Sequence, residues 1–119
     1  MKVKRIKELL EAEIVGAELQ DDYNVNYAFS SDLMSDVLRL NEDHIVLITG
    51  LSNLQCIRTA EMADVRLIIM GRGKHVSQEM IELAEESDIT ILKTKFSVFK
   101  ISGLLYKREG DQEGIVPVY

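Results

Sequence analysis

Three times in succession an apolar run is followed by a small or polar turn and then by an amphipathic stretch. HIVLITG (44–50) leads into LSNLQCIRTAEMA (51–63). VRLIIMG (65–71) passes through RGKHV (72–76) to SQEMIELAEES (77–87), and DITILKT (88–94) leads to KFSVFKISGLLYK (95–107). The apolar runs are continuous, rich in Ile, Val and Leu, and show no polar alternation, as strands covered on both faces of a parallel sheet require. The stretches between them carry helical spacing: Met80, Ile81, Leu83 and Ala84 form one stripe, with Glu79, Glu82, Glu85 and Glu86 on the other side. Ser77 is a good N-cap, and Glu79 suits the positive end of the helix. These are βα units. The pattern predicts strands at 45–49, 66–70 and 89–92, helices near 53–63, 77–86 and 96–105, and near-complete burial of Val46, Ile48, Ile68 and Ile91.

The first third repeats the pattern more weakly. Residues 3–11 read as a short helix with Ile6, Leu9 and Leu10 inward, AEIVGAEL (12–19) as a strand broken at Gly16, and QDDYN (20–24) as a polar turn. VNYAF (25–29) reads as a strand leading into SSDLMSDVLRL (30–40), a helix with Leu33, Met34, Val37 and Leu38 on one face and Ser31 or Asp32 as its cap. The expected fold is α/β and three-layered: a mostly parallel sheet of four to five strands, helices on both faces, right-handed crossovers. Residues 1–106 form a single domain. The closing KREGDQEGIVPVY (107–119) is a tail, either loose or docked on a neighbour.

Composition narrows the function classes. A chain of 119 residues is one domain with room for a real core. It has no run of 18 apolar residues to span a membrane, and its charged N-terminus lacks an apolar signal core. One cysteine excludes an internal disulfide and, with no signal, points to the cytoplasm. The net charge of −6, from 14 Lys+Arg against 20 Asp+Glu, argues against nucleic acid, whose binders rely on a basic excess.

In parallel α/β folds, ligands sit where strand ends feed into helix N-termini. That rule selects four turns: SSD (30–32), TGLSN (49–53), GRGKH (71–75) and KTK (93–95). They offer Ser31 and Asp32; Gly50, Ser52 and Asn53; Gly71, Arg72, Gly73 and Lys74; and Lys93 and Lys95. Four of the chain's 14 basic residues therefore fall in these turns, where helix N-termini and cations together suit a small anion. Gly50 taken alone is only the sharpest way from strand to helix. GRGKH is no P-loop, because it lacks the upstream glycine and the Ser/Thr after lysine. Cys56 has apolar neighbours and reads as buried and structural. His44 and His75 have no partner at metal-ligand spacing, Asp21–Asp22 lies at the wrong end of the sheet, and no nucleophile–base set is visible. Neither catalysis, a metal nor a cofactor is expected.

AFSSDLMSDVLRL (28–40) followed by residues 44–106, ending in FKISGLLY, resembles the DRTGG domain family, in particular its small stand-alone members, which run Ser-Asp-Leu-[Leu/Met]-Ser. Asp32, Ser35 and Ser77 match that pattern. The same fold occurs in the N-terminal domain of the bacterial kinase/phosphorylase of the phosphocarrier HPr, beside CBS domains in some regulated pyrophosphatases, and in some phosphotransacetylases. The resemblance implies a regulatory or assembly module, usually dimeric, with no catalytic residues of its own. It also implies partners: stand-alone members are often encoded near iron-only hydrogenase components or signalling kinases. The family's Gly-Asp-Arg turn falls on Gly50, Leu51 and Ser52, and its Thr-Gly-Gly turn on Gly71, Arg72 and Gly73, so the backbone pattern is kept while the diagnostic side chains differ.

Two readings follow. One is a non-enzymatic regulatory module that dimerises and binds a small anionic metabolite or nucleotide at the C-terminal edge of the sheet. The other is a protein-interaction adaptor for a redox (hydrogenase-type) or signalling-kinase system with no small ligand. A homodimer is expected because a small chain with 46% apolar residues gains by burying more surface, with 33–40 and Ile115–Tyr119 as contact surfaces.

Overall fold

The three apolar runs form the middle of the sheet. The computed structural model describes residues 1–119, with the chain order α1 (Val3–Leu10), β1 (Glu13–Gly16), β2 (Tyr27–Ser30), α2 (Met34–Val37), β3 (Ile45–Thr49), α3 (Leu54–Met62), β4 (Leu67–Met70), α4 (Gln78–Glu86), β5 (Thr90–Lys93), α5 (Val98–Leu105) and β6 (Val116–Pro117). One six-stranded sheet runs β1-β5-β4-β3-β2-β6. All neighbours are parallel except β1, which is antiparallel to β5. The sheet thus has one or two strands more than expected, because β1 and β6 cap its edges. No helix is long and apolar enough to cross a membrane.

Side-chain alternation divides the core in two. Ile45, Leu47, Ile68, Met70 and Ile91 face one layer, where they meet Met34 and Val37 of α2, Cys56, Ile57 and Ala60 of α3, and Met80 and Ala84 of α4. Val46, Ile48, Leu67, Ile69 and Leu92 face the other, against Val3, Ile6 and Leu10 of α1 and Ile101 and Leu105 of α5. Val46, Ile48, Ile68 and Ile91 are all buried, as their continuous apolar context predicts. The caps are equally local in origin: Asn53 Oδ1 accepts from Cys56 N at 2.9 Å, Ser77 Oγ from Met80 N at 3.2 Å and Ser97 Oγ from Lys100 N at 3.1 Å.

Two parts of the first third differ from their sequence pattern. The expected helix over 30–40 shrinks to one turn, Met34–Val37, with Leu33 at its N-cap position and no side-chain cap, so neither Ser31 nor Asp32 caps it. Leu33 and Leu38 are exposed, while Met34, Val37 and Leu40 are buried. The buried set is spaced i, i+3, i+6, which a single turn followed by a bend satisfies without a longer helix. Gly16 ends β1 with φ +81°. A Cβ there would stand 2.8 Å from Ile89 O and 3.0 Å from Ala84 Cβ, so α4 and its following turn leave room only for glycine.

The last residues pair with this chain's own sheet. Val116 and Pro117 lie in register with Tyr27 and Ala28, Ile115 is buried in the α5 layer, and Tyr119 packs edge-on against Phe29 at 5.9 Å between ring centroids. Pro117 sits on an edge strand, where a missing N–H costs nothing. We expect Ile115→Ala to lower unfolding stability by about 2–4 kcal/mol in chemical denaturation, against less than about 0.5 kcal/mol for exposed Val116→Ala. Equal, small effects would mean that the tail is not part of the cooperative fold.

Candidate functional site

Parallel register brings the strand ends to one edge. Ser30 lies opposite Ile48, Thr49 opposite Met70, and Met70 opposite Lys93, so the turns at 30–32, 49–53, 71–75 and 93–95 all leave from the same side. The connections after β2, β3 and β4 run to α2, α3 and α4 on one face, whereas that after β5 runs to α5 on the other. The topological switch therefore falls between β4 and β5, the place where such sheets usually open a ligand crevice.

Here the backbone closes that crevice. Arg72 N donates to Phe96 O and Gly73 N to Thr94 O, both at 2.8 Å, and Gly71 N donates to Thr49 O at 3.0 Å. Arg72 takes the left-handed conformation (φ 64°) and Gly73 follows it (φ 63°), which folds the turn onto its neighbour. Gly71 is buried against it: a Cβ would lie 2.9 Å from Phe96 O and 3.0 Å from Ile101 Cδ1. Any ligand must sit outside this seam, over the turns.

Outside it, Asp32 and Arg72 stand on either side of Gly50. Asp32 Oδ1 accepts from Thr49 Oγ1 and from Gly50 N, both at 2.8 Å, tying the end of β2 to the turn after β3. The Arg72 guanidinium lies over the same glycine, with Nη2 3.1 Å from the position of its missing Cβ. The Gly50 N–H bond, then the Thr49 hydroxyl, hold the Asp32 carboxyl below the usual aspartate range against a partial desolvation, with Arg72 and Lys74 adding attraction. Because the folded pKa is depressed, the stabilising contribution is complete above the free aspartate value, about 4, and is lost as pH falls through the lower folded value.

The other expected site residues divide. Ser31 Oγ accepts from Leu33 N at 2.9 Å. Ser52 Oγ donates to His75 O, and Asn53 spends Oδ1 on the α3 cap. Arg72, Gly73, Lys74 and Lys95 are exposed, and Lys95 Cα lies 3.8 Å from the Cβ position of Gly73. Lys93 and Lys95 also border a shallow depression of about 260 Å³ shared with Glu11, Glu13, Gly73 and Thr94. Thr49 escapes a reading based on motifs, yet it organises the turn by bonding Asp32 and accepting from Leu51 N at 3.1 Å. Thr94 does the same for the neighbouring turn, accepting from Phe96 N at 3.2 Å and donating to Leu10 O at 2.7 Å. A threonine closing a strand just before a turn is the signal that could have found both.

Cys56 and His44 have structural surroundings, whereas His75 is exposed. Burial, with the Asp32 charge, pushes the Cys56 thiol up to about 12, so its nucleophilic form is suppressed. His44 Nδ1 lies 2.8 Å from Asn24 O and its ring stacks on Tyr23 at 4.9 Å. Asp21 is ion-paired with Lys7 at 2.8 Å. No group of three or more His, Cys, Asp and Glu side chains is placed to hold a metal.

An apolar cavity of about 250 Å³ lies beside β2, β6 and α5, lined by Phe29, Ile48, Leu105, Val118 and Tyr119 among others. A hydrogen bond of 2.9 Å between the Ser30 and Ser102 hydroxyls joins β2 to α5 beside it.

The DRTGG domain model matches residues 5–107, and the chain belongs to that family. A search among curated proteins finds no match. The structure is similar to the crystal structure of the CBS and DRTGG domains of the regulatory region of Clostridium perfringens pyrophosphatase, complexed with the activator diadenosine tetraphosphate. The TM-score is 0.72 at 22% identity, covering 87% of this chain and 45% of that one. The chain thus spans less than half the length of that relative, and at this identity the likeness is one of fold.

Two glycine substitutions separate the seam from the surface. Gly71→Ala should cost about 1–3 kcal/mol, since its Cβ meets backbone that cannot yield. Gly50→Ala meets chiefly the flexible end of Arg72 and should change stability by less than about 0.5 kcal/mol. Thermal melts of the two variants check this, and the reverse order would contradict the seam. Asp32→Ala should flatten the acid limb of the stability profile below about pH 4.

Proposed function

We propose that this DRTGG domain is a non-enzymatic regulatory module that dimerises and binds a small anionic metabolite or nucleotide at the C-terminal edge of its sheet. The observation that carries the reading is the state of the cations there. Arg72, Lys74, Lys93 and Lys95 gather at one edge of an acidic protein, and none of them is ion-paired. The four ion pairs, Arg5–Glu8, Arg5–Glu113, Lys7–Asp21 and Arg66–Asp88, all lie elsewhere. An anion at this edge gains charge-assisted hydrogen bonds from groups that have no internal partner to give up. The complex of the Clostridium perfringens pyrophosphatase regulatory region with diadenosine tetraphosphate supports a nucleotide as the class of ligand.

No step of chemistry is needed for such a role. A ligand that binds the folded edge lowers the free energy of that state by RT ln(1 + L/Kd), where L is the free ligand concentration, and any partner that reads the edge responds. Dimerisation has its own surface. Phe99 is 90% exposed, Tyr106 55% and Tyr119 80%. Tyr106 and Tyr119 both border the apolar cavity, and Tyr106 and Phe99 share a shallow groove on α5. A monomer rarely leaves this much aromatic surface to water without a partner. The same face favours the second reading, an adaptor for a redox (hydrogenase-type) or signalling-kinase partner.

Arg72→Ala together with Lys74→Ala should abolish binding of AMP in calorimetric titration at low salt, with the melting temperature nearly unchanged, because both side chains are exposed. Raising the salt should weaken wild-type binding. Unchanged affinity in the double variant would remove these residues from the site. In light scattering at tens of micromolar protein, the chain should show twice its 13.5 kDa mass, and Phe99→Glu should return it to the monomer. A wild-type monomer would leave the exposed aromatic face to a different protein and favour the adaptor.

A further inference from the structure

A carboxylate stands among the cations of this edge. Asp32 uses only Oδ1 to hold the turn, and Oδ2 has no hydrogen-bond partner although the side chain is exposed. Facing it across Gly50 is Arg72. The position of the missing Gly50 Cβ is 3.4 Å from Asp32 Oδ2, 3.1 Å from Arg72 Nη2 and 3.5 Å from Arg72 Nε. Yet no nitrogen of Arg72 comes within 4.0 Å of an Asp32 oxygen, so the two do not close into an ion pair. The gap of more than 4.0 Å between them is a notch above the buried Gly50, with a free acceptor on one side and a planar donor on the other.

A bare oxyanion fits this notch poorly. It would stand at similar distances from Asp32 and from Arg72, so that repulsion and attraction nearly cancel. What fits is a ligand that brings an anion to one wall and a hydrogen-bond donor to the other. Resting on the anion-site reading above, we propose that the notch over Gly50 selects a phosphorylated ribose, as in a ribonucleotide: a ribose hydroxyl donates to Asp32 Oδ2 while the phosphate bonds the Arg72 guanidinium, with Lys74 beside it. Asp32 is then the specificity residue of the site. It favours hydroxyl-bearing anions over deoxygenated ones and over inorganic phosphate. The backbone at Gly50 does not require glycine, since its φ is not positive; what its missing side chain leaves is room for the Arg72 guanidinium beside Asp32.

Affinities of AMP, its 2′,3′-dideoxy analogue and inorganic phosphate, measured by calorimetry on the wild-type chain, Asp32→Asn and Gly50→Ala, test this. The asparagine keeps an oxygen for Gly50 N and Thr49 Oγ1 but replaces the free acceptor by a donor and removes the charge. Wild type should prefer AMP over the dideoxy analogue by roughly tenfold or more, the worth of one hydrogen bond to a charged group. Asp32→Asn should erase that preference and bind inorganic phosphate more tightly, a reversal that a purely structural role for Asp32 would not produce. Gly50→Ala should weaken AMP while keeping its melting temperature. If AMP and its analogue bind equally, and Asp32→Asn changes neither, the selectivity falls and the anion site stands. If none of the three binds any variant, the anion site falls with it.

Discussion

Burial of β3, β4 and β5 on both faces is the constraint from which the rest of the structure follows. Leu47, Ile68 and Ile91 must be covered from one side, and Val46, Ile48, Leu67, Ile69 and Leu92 from the other. A sheet of this kind needs helices on both faces, and right-handed crossovers fix where each can go. Three successive connections place α2, α3 and α4 on the first face. The second face is then left to α1 and to α5, so the chain must change sides after β5. That change sets the topological switch between β4 and β5, and the edge it creates is where the cations gather.

The switch is a crevice in geometry only, since the turn after β4 is sewn to the turn after β5 by the amides of Arg72 and Gly73. Closing it has two consequences. The left-handed backbone at Arg72 goes with a side chain that lies over the buried Gly50, and the exposed groups of the edge become those of Asp32, Asn53, Arg72 and Lys74. Asp32 then joins β2 to that turn through Thr49 and Gly50, so all four strand-end turns are mechanically connected. A ligand bridging Asp32 and Arg72 would strengthen the same connection. Under the proposed function this tie is the physical route of regulation, because the tied elements are those that carry the buried sheet.

The regular parts of this fold are written in local sequence, and the irregular parts in tertiary contacts. HIVLITG, VRLIIMG and DITILKT announce buried parallel strands through continuous Ile, Val and Leu, and Asn53, Ser77 and Ser97 sit where helix caps belong. β6 was illegible because IVPVY follows a polar stretch and is too short for any period to register. Its placement depends on Ile115 finding the α5 layer. The segment 30–40 misleads for a related reason: four apolar residues fit a helical face, but only Met34 and Val37 of them are buried. Asp32 shows the limit most clearly. Its position before a helix suggests a cap, whereas its real partners, Thr49 and Gly50, are distant in sequence and invisible without the register of β2 on β3. The four turns were legible as a set, since parallel strands deliver their ends to one edge. Which side chains there are free for a ligand was not, because Ser52 and Asn53 are consumed by His75 O and the α3 cap.

The central claim, that this edge receives a phosphate-bearing ligand, is tested most directly by residue-resolved amide NMR during titration of the wild-type chain with AMP at low salt. Saturable shifts should concentrate at Gly50, Leu51, Arg72, Gly73 and Lys74, with the amides of β1 and the distal turns unmoved. Shifts confined to other surfaces, or none up to millimolar AMP, would contradict the account.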